Sequence, residues 1–404
     1  MPRAVVSSRR AGTTRVVLRV LETASSRGAR ASCRPSRRTC SARTEATRRD
    51  LGLDGHLKTT VACWLDAEGT RLERVSIPTT AKELQDLVGR SAAGDGLLVG
   101  QELGTLAFFV HDVRTALGVE IRSFNADQLR RIAASRKKTD RRAAFWIAKA
   151  LQTGMTPHPV YIPTGPIRRL RSLLAQRDAV VAERKRWLLR ARSCLRSGGC
   201  GLPKASRSVA RLRDKALGDP DGLDAHLAEA LDLCQRREAA LSEEARRLDA
   251  LLEEETADIP AIQRLRTIPA VGDQVAVRIY AAVGDISRFP NARALAAHAG
   301  LVPNVHQSGE VLHMGRITRM GSPALRGVRI QAGHVLLSRC DPVKAGPLRE
   351  IASRIQSTRG RRKIAVVGAA RHILRIAYDV LRDGSTYDPH LLRSPAGAKP
   401  ATAA

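Results

Sequence analysis

Three acidic residues fall where a divalent metal ion could be bound. Asp54 stands at the C-terminal end of the first predicted strand, and Glu102 follows the apolar run 97–99 at the end of another. Asp140 opens a predicted amphipathic helix. Carboxylates at neighbouring strand ends, with one more on a nearby helix, supply the oxygen ligands that Mg²⁺ prefers. A single Asp at a strand end is more often a cap or turn residue, so the hypothesis depends on all three together.

The elements that would position these carboxylates form an α/β domain. Short β-type runs come first, and helical and strand-like segments then alternate, which is typical of a mixed sheet with helices packed on it. The predicted strands cover 51–53, 61–65, 72–77, 96–99 and 119–124, and the predicted helices cover 81–89, 106–117 and 140–151.

Two long charged helices follow this domain. They are predicted over 166–195 and 223–255, and the second carries apolar residues spaced alternately by four and three, with one polar break at Glu238. This heptad pattern predicts a coiled-coil hairpin, the alternative being two helices packed on a globular core. The whole chain divides into a disordered basic tail (1–49), the α/β domain (50–160), the helical linker (161–258), a mostly α-helical C-terminal domain (259–387) and a disordered tail (388–404).

The charge balance indicates a nucleic-acid partner. The 404 residues include 69 Lys and Arg against 39 Asp and Glu, which gives a formal net charge of +30. The basic tail, residues 1–49, contributes strongly to this charge. Such an excess of positive charge indicates a nucleic-acid partner first and an anionic membrane surface second. Aromatic residues make up only 3%, which favours phosphate contacts over base stacking. Seven scattered cysteines predict a reducing cytoplasmic setting, and no apolar run is long enough to span a membrane.

The acidic residues lie in motifs that resemble a known family. Gly52-Leu53-Asp54, Gln101-Glu102-Leu103-Gly104 and Lys138-Thr139-Asp140 are similar to the RNase H-like (RuvC-like) DEDD domain of a transposase family of bacterial insertion sequences, related to Piv-type DNA invertases. The resemblance implies that Asp54, Glu102 and Asp140 are catalytic metal ligands for Mg²⁺. Lys137 and Lys138 become candidate nucleic-acid contacts.

The fourth acidic residue of the family pattern is missing. Ala143 stands where the family has its last Asp, three residues after Asp140 and on the same helix face. We therefore expect the second metal ion to bind more weakly and this copy to be impaired in its metal chemistry.

Residues 265–276 predict a helix, a tight turn and a second helix. Pro269 and Gly272 mark the turn, so the segment is like a helix-hairpin-helix whose backbone N–H groups meet a DNA phosphate at Gly272. The commonest version has a second Gly at the position of Ala270, and an ordinary helical turn is the alternative.

The blocks that follow resemble the C-terminal transposase domain of the same family. They include Gln307-Ser308-Gly309, Gly315-Arg316, Gly321-Ser322 and Leu325-Arg326. The resemblance implies that Ser308 is the nucleophile that attacks DNA. Arg316, Arg319 and Arg326 are candidate phosphate contacts, with solvated surface charge as the alternative.

The favoured function is thus a DNA transposase or site-specific recombinase that works as a dimer or tetramer. The resemblance further implies a structured guide RNA from the element. A decayed relative that still binds DNA or RNA is the second interpretation, and a junction-resolving nuclease, which leaves Ser308 without a role, is the third.

Overall fold

The computed structural model divides the chain into two compact units, Met1–Val160 and Tyr161–Ala404. None of its described helices is long and apolar enough to cross a membrane. The structure describes residues 49–89, 97–132, 140–200, 208–217, 225–308, 311–318 and 320–389.

The first unit is built on a five-stranded mixed sheet in the order β3-β2-β1-β4-β5. The first three strands form an antiparallel meander, and β4 and β5 then add to the other side of β1 in parallel. This arrangement confirms the predicted α/β core and is consistent with an RNase H-like domain. The strands are β1 (Arg49–Gly55), β2 (Thr59–Leu65), β3 (Arg71–Pro78), β4 (Leu97–Glu102) and β5 (Ile121–Phe124).

Helices cover both faces of this sheet. They are α1 (Ala81–Gly89), α2 (Ala107–Thr115), α3 (Ala126–Ile132) and α4 (Asp140–Thr153). One face buries Leu51, Leu53 and Val99 against apolar residues of α1 and α2, while Leu98 and Phe124 pack against α3 and α4. Burial on both faces explains why β1 and β4 read as continuous apolar runs rather than alternating ones.

The second unit begins with a helical hairpin. Helices α5 (Gly165–Ser197) and α7 (Ala225–Thr256) lie side by side and run in opposite directions, and α6 (Val209–Leu217) packs against them. The direction follows from the polar pairs between them, because Arg177 bonds Asp249 whereas the later Arg184 bonds the earlier Ser242. Five residues of the predicted heptad seam are buried, namely Leu231, Cys234, Ala245, Leu248 and Leu252. Helix α6 was not predicted from the sequence.

The rest of the second unit is mostly helical and packs around its last helix. Its elements are α8 (Pro260–Arg266), α9 (Asp273–Val283), a 3₁₀ turn (Ile286–Arg288), α10 (Ala292–His298), β6 (Pro303–Ser308), β7 (Val311–Ile317), α11 (Pro323–Ser338), α12 (Pro342–Arg359) and α13 (Arg362–Asp383). Helix α13 buries an apolar face that includes Ile373, Leu374 and Ala377, and it contacts α10, α11 and α12. The β6–β7 hairpin was not predicted from the sequence.

The hairpin α5–α7 is joined to α9 by charge-assisted hydrogen bonds. Arg278 of α9 is nearly buried, and its guanidinium donates to both carboxylate oxygens of Asp178 on α5. Asp249 of α7 accepts from Arg177 and from Gln274. These bidentate and shared contacts fix the orientation of the helices because both partners have defined geometry.

Candidate functional site

Asp54 and Glu102 lie side by side at one edge of the sheet. Strands β1 and β4 are parallel neighbours, with Leu53 opposite Gln101, so the next residue on each strand is Asp54 and Glu102. In a parallel pair, residues at matching positions point to the same face. The prediction that these carboxylates share a strand edge is therefore supported by the register.

Both carboxylates point to the face covered by α4. Side chains alternate along a strand, so Gly52 and Asp54 share a face, as do Gly100 and Glu102. A Cβ at Gly52 would lie 2.0 Å from the carbonyl oxygen of Ala144, and one at Gly100 would lie 2.8 Å from Ile147. The two glycines thus let α4 rest directly on the strands, one step before the carboxylates.

The direction of α4 brings its first residue to the same edge. Gln152, near the end of α4, donates to the carbonyl of Ala67, which follows the end of β2 and therefore lies beside the start of β1. Helix α4 thus runs against β1, and Asp140 precedes Ala144 by one turn, about 6 Å. Because Asp54 is two residues, about 6.6 Å, beyond Gly52, the backbone of Asp140 reaches the level of Asp54.

At this end of α4 the structure describes the backbone alone. The side chain of Asp140 lies outside the described part, as do Lys137 and Lys138 in full. Ala143 is half-buried and sits beside the fully buried Ala144 on the first turn of α4. Position 143 therefore contributes a methyl group, and no carboxylate, to the first turn of α4.

A histidine that sequence reasoning missed belongs to this edge. Asp54 is only 6% exposed, and its Oδ2 atom lies 3.4 Å from Nε2 of His56. The only sequence signal was the spacing of two residues at the strand end. Within the residues that the structure describes, no three His, Cys, Asp or Glu side chains are grouped closely enough to hold a metal ion.

The donor set nevertheless fits a hard divalent cation. A buried Asp and a half-exposed Glu on adjacent strands supply anionic oxygen atoms, and the N-terminus of α4 begins at the same level. The opposite face stabilises the strand end, because the amide nitrogen of Gln101 donates to Ala107 and to Ser123, at 2.9 Å each. The carboxylate edge, defined here as Asp54, Glu102 and Asp140, thus rests on a fixed sheet.

In the second unit, the turn before α9 has the predicted helix–turn–helix order. Gly272 is exposed and caps α9, its carbonyl accepting from Val275 and Ala276. Ala270 has φ +67°, which is the left-handed region that favours glycine. The backbone at position 270 therefore has a conformation that glycine adopts without strain, although this chain has Ala. Asp273 at the start of α9 pairs with Arg266 at 2.7 Å.

Ser308 ends strand β6 at the tip of a hairpin. Its backbone is opposite Val311 of β7, while its side chain lies outside the described part. Arg316 is exposed on β7, and Arg326 is half-buried on α11. Arg319 lies outside the described residues.

The Gly321-Ser322 block has a structural role. Gly321 has φ +115°, and a Cβ there would lie 2.1 Å from the carbonyl oxygen of His298, so only glycine fits at this crossing of the chain. Ser322 caps α11 by accepting from the N–H of Leu325 at 3.3 Å. This block therefore fixes the start of α11 and with it Arg326.

Two family profiles match separate parts of the chain. A profile of DEDD-type IS110 transposases, described as Transposase, matches residues 51–198, and one described as Transposase IS116/IS110/IS902 family matches residues 262–346. The first contains Asp54, Glu102 and Asp140, and the second contains Ser308.

Individual relatives are similar at modest identity. The transposase for insertion sequence element IS1328 of Yersinia enterocolitica is 26% identical over 52% of this chain and 62% of its own length. The insertion element IS110 uncharacterized 43.6 kDa protein of Streptomyces coelicolor is 30% identical over 49% of this chain and 48% of its own. The pilin gene-inverting protein of Moraxella bovis is 28% identical over 31% of this chain and 38% of its own.

The chain spans between about a fifth and just under two thirds of the length of these and the other curated relatives. The first profile nonetheless covers the carboxylate edge, and the second covers the β6–β7 hairpin that bears Ser308. The chain therefore carries the two transposase domains of the IS110/IS116 family.

Proposed function

We propose that this protein cuts and exchanges DNA strands as the transposase, or site-specific recombinase, of an insertion sequence. The observation that carries the proposal is the register of β1 and β4, which makes Asp54 and Glu102 neighbours on the face where α4 begins. Three carboxylates at a sheet edge are suited to phosphodiester chemistry, because they can hold divalent cations that bind phosphate oxygens.

In this proposal Asp54, Glu102 and Asp140 hold Mg²⁺. The bound metal would supply charge stabilisation to the scissile phosphate and lower the pKa of an attacking hydroxyl. The protein contributes rigid placement: Asp54 is buried against the sheet, and Gly52 allows close contact with α4. His56, 3.4 Å from the Asp54 carboxylate, orients that carboxylate and is a positioning residue.

Ser308 is the proposed nucleophile. Its hydroxyl oxygen would attack the phosphorus of a DNA phosphodiester and displace one deoxyribose oxygen, which leaves with a proton. The resulting phosphoserine link would be resolved when a hydroxyl of the exchanging strand attacks the same phosphorus and releases Ser308. A serine hydroxyl needs activation for this step, so the mechanism requires the serine and the metal-bound phosphate to meet in the working complex.

We expect this copy to have reduced activity because position 143 is an alanine. Where the family has a fourth carboxylate, the first turn of α4 carries a methyl group, so one anionic ligand is lost. The second candidate function follows from the same residue: a catalytically decayed transposase relative that still binds DNA or RNA through its +30 charge. The two functions differ in strand exchange and agree in binding.

The proposed partners are DNA, a structured guide RNA and further copies of the chain. Two active sites must act across a recombination junction, which requires at least a dimer. The seam of α7 is largely buried against its own hairpin, so oligomer contacts would use other surfaces of the proposed coiled-coil hairpin, such as the exposed Leu233 and Leu251. The proposed helix-hairpin-helix would contact backbone phosphate at Gly272.

Strand exchange with purified protein, element DNA and element RNA tests the proposal. The unmodified chain, Ala143→Asp and Ser308→Ala should be compared with and without Mg²⁺. We expect weak, metal-dependent strand exchange by the unmodified chain, stronger exchange by Ala143→Asp and no exchange by Ser308→Ala. Activity that survives Ser308→Ala would exclude the serine mechanism. Binding without exchange in both the unmodified chain and Ala143→Asp would favour the decayed relative.

A further inference from the structure

A cleft of about 600 Å³ lies between α10, α12 and α13 in the second unit. The residues that line it include Asn291, Arg293, Ile355, Arg371, His372 and Arg375. Arg293, Arg371 and Arg375 are exposed at its walls, while Ile355 and Gly368 contribute to its lining from α12 and α13. None of the candidate site residues from the sequence belongs to it.

The packing of α13 fixes the positions of these charges. A Cβ at Gly368 would lie 2.7 Å from Cδ1 of Ile355, so α12 and α13 cross closely at the cleft. Arg371 and Arg375 are four residues apart and therefore project on the same side of α13. The intervening Ile373 and Leu374 are fully buried, which prevents α13 from rotating to separate the two guanidinium groups.

The arginines of the cleft take part in none of the ion pairs among the described residues. Within the described residues, no carboxylate forms an ion pair with Arg293, Arg371 or Arg375. Asp379, one turn beyond Arg375, forms its ion pair with Arg382 at 3.7 Å, and the charge of Arg375 acts on it only as a weaker, longer-range attraction. Like charges four residues apart destabilise a helix, and an anion bound between them would remove this repulsion.

Arginines with structural roles in the same unit look different. Arg278 is paired with Asp178, and Arg177 is paired with Asp249. In the cleft, by contrast, several positive charges act at one point: the pKa of His372 is lowered first by burial and then by Arg375, Arg371 and Arg354. The second unit thus separates paired arginines, which join helices, from unpaired ones that converge on the cleft.

We infer that this cleft binds consecutive backbone phosphates of a nucleic-acid double helix. Guanidinium groups match phosphate oxygens in geometry and stay charged at all working pH values. Within the described residues, no Phe, Tyr or Trp lines the cleft, so it offers no platform for stacking unpaired bases. The inference rests on the proposed function, which requires a nucleic-acid partner. DNA and RNA duplexes share this ligand chemistry.

The test compares two double variants of the full chain with the same charge loss. Arg371→Gln with Arg375→Gln removes two cleft charges, and Arg237→Gln with Arg247→Gln removes two exposed charges from α7. Binding of a 5′-fluorescein-labelled DNA duplex and the matching RNA duplex is followed by anisotropy across a salt series, without Mg²⁺. Thermal melting checks that each variant is folded.

We expect the cleft variant to bind at least one duplex about 10-fold more weakly at moderate salt, with a log–log salt slope smaller by about 2. The α7 variant should keep the slope of the unmodified chain. The duplex that shows the loss identifies the source of the phosphates. Equal losses in both variants, or no loss in either, would overturn the inference. If the unmodified chain binds neither duplex, the proposed function fails instead.

Discussion

Gly52 is the residue on which the placement of α4 depends most directly, and Gly52→Ala tests it. The new Cβ would lie 2.0 Å from the Ala144 oxygen and 2.6 Å from the Ala148 nitrogen. Real Cβ contacts are not shorter than 3.0 Å, so the helix or the strand must move by at least 1 Å. Both neighbouring atoms belong to the backbone of α4, and no side-chain rotation can relieve the clash.

The cost follows from what α4 buries. Ala144, Ile147, Ala148 and Leu151 are at most 2% exposed against the sheet. A gap of 0.5–1 Å forfeits about a quarter to a half of the contact energy of such groups, and overpacking typically costs about 1–3 kcal/mol or more. The lower entropy of the unfolded alanine chain returns about 0.4–1 kcal/mol. We therefore expect a net loss of about 2 kcal/mol in the first unit.

Hydrogen exchange of the full chain measures this loss locally. In Gly52→Ala, amides of α4 should exchange about 30-fold faster, which corresponds to about 2 kcal/mol. Gly104→Ala is the matched control, because a Cβ there meets nothing within 4 Å. Unchanged exchange in α4 of the Gly52 variant would refute the direct contact between α4 and β1. The second unit should be unaffected in both variants.

Two predictions concern the second unit. Asp178→Ala leaves the nearly buried Arg278 guanidinium without its bidentate partner, so we expect a loss of about 1–3 kcal/mol in chemical denaturation, against less than about 0.5 kcal/mol for Glu243→Ala, whose ion pair is exposed. Equal losses would contradict the structural role of the Arg278–Asp178 pair. Ala270→Gly relieves the strain of an alanine in the left-handed region, which stabilises the folded state by about 1–2 kcal/mol. Glycine also raises the entropy of the unfolded chain, which costs about 0.4–1 kcal/mol, so the melting temperature should hold or rise. A clear fall in melting temperature would show that the turn has another conformation.

Much of the first unit could be predicted from the sequence, because its signals are local. Apolar runs and turn residues identify all five strands, and the position of Asp54 and Glu102 at strand ends follows from them. The register that makes them neighbours could not be derived from periodicity, since it depends on the pairing of residues about fifty apart. His56 was missed because histidine beside a strand end carries no distinctive pattern.

The second unit was harder to predict for the same reason. The hairpin β6–β7 contains glycine and polar residues that resemble a loop, and its strands are stabilised mainly by each other. The basic cleft combines residues from positions 291 to 375, which meet only because α13 packs against α10 and α12. From the sequence, the positive charge of the chain as a whole predicts phosphate contacts, but it cannot locate a cleft.

Metal binding by the carboxylate edge is the most direct test of the central claim. Electron paramagnetic resonance can follow Mn²⁺ binding to the full chain, to Asp54→Asn and Glu102→Gln, and to the control Glu120→Gln. Glu120 is exposed, pairs with Arg122 at 2.9 Å, and precedes β5 at the opposite end of the sheet. We predict saturable binding by the unmodified chain and the control, with loss in the two edge variants. Undiminished binding by Asp54→Asn and Glu102→Gln would contradict the assignment.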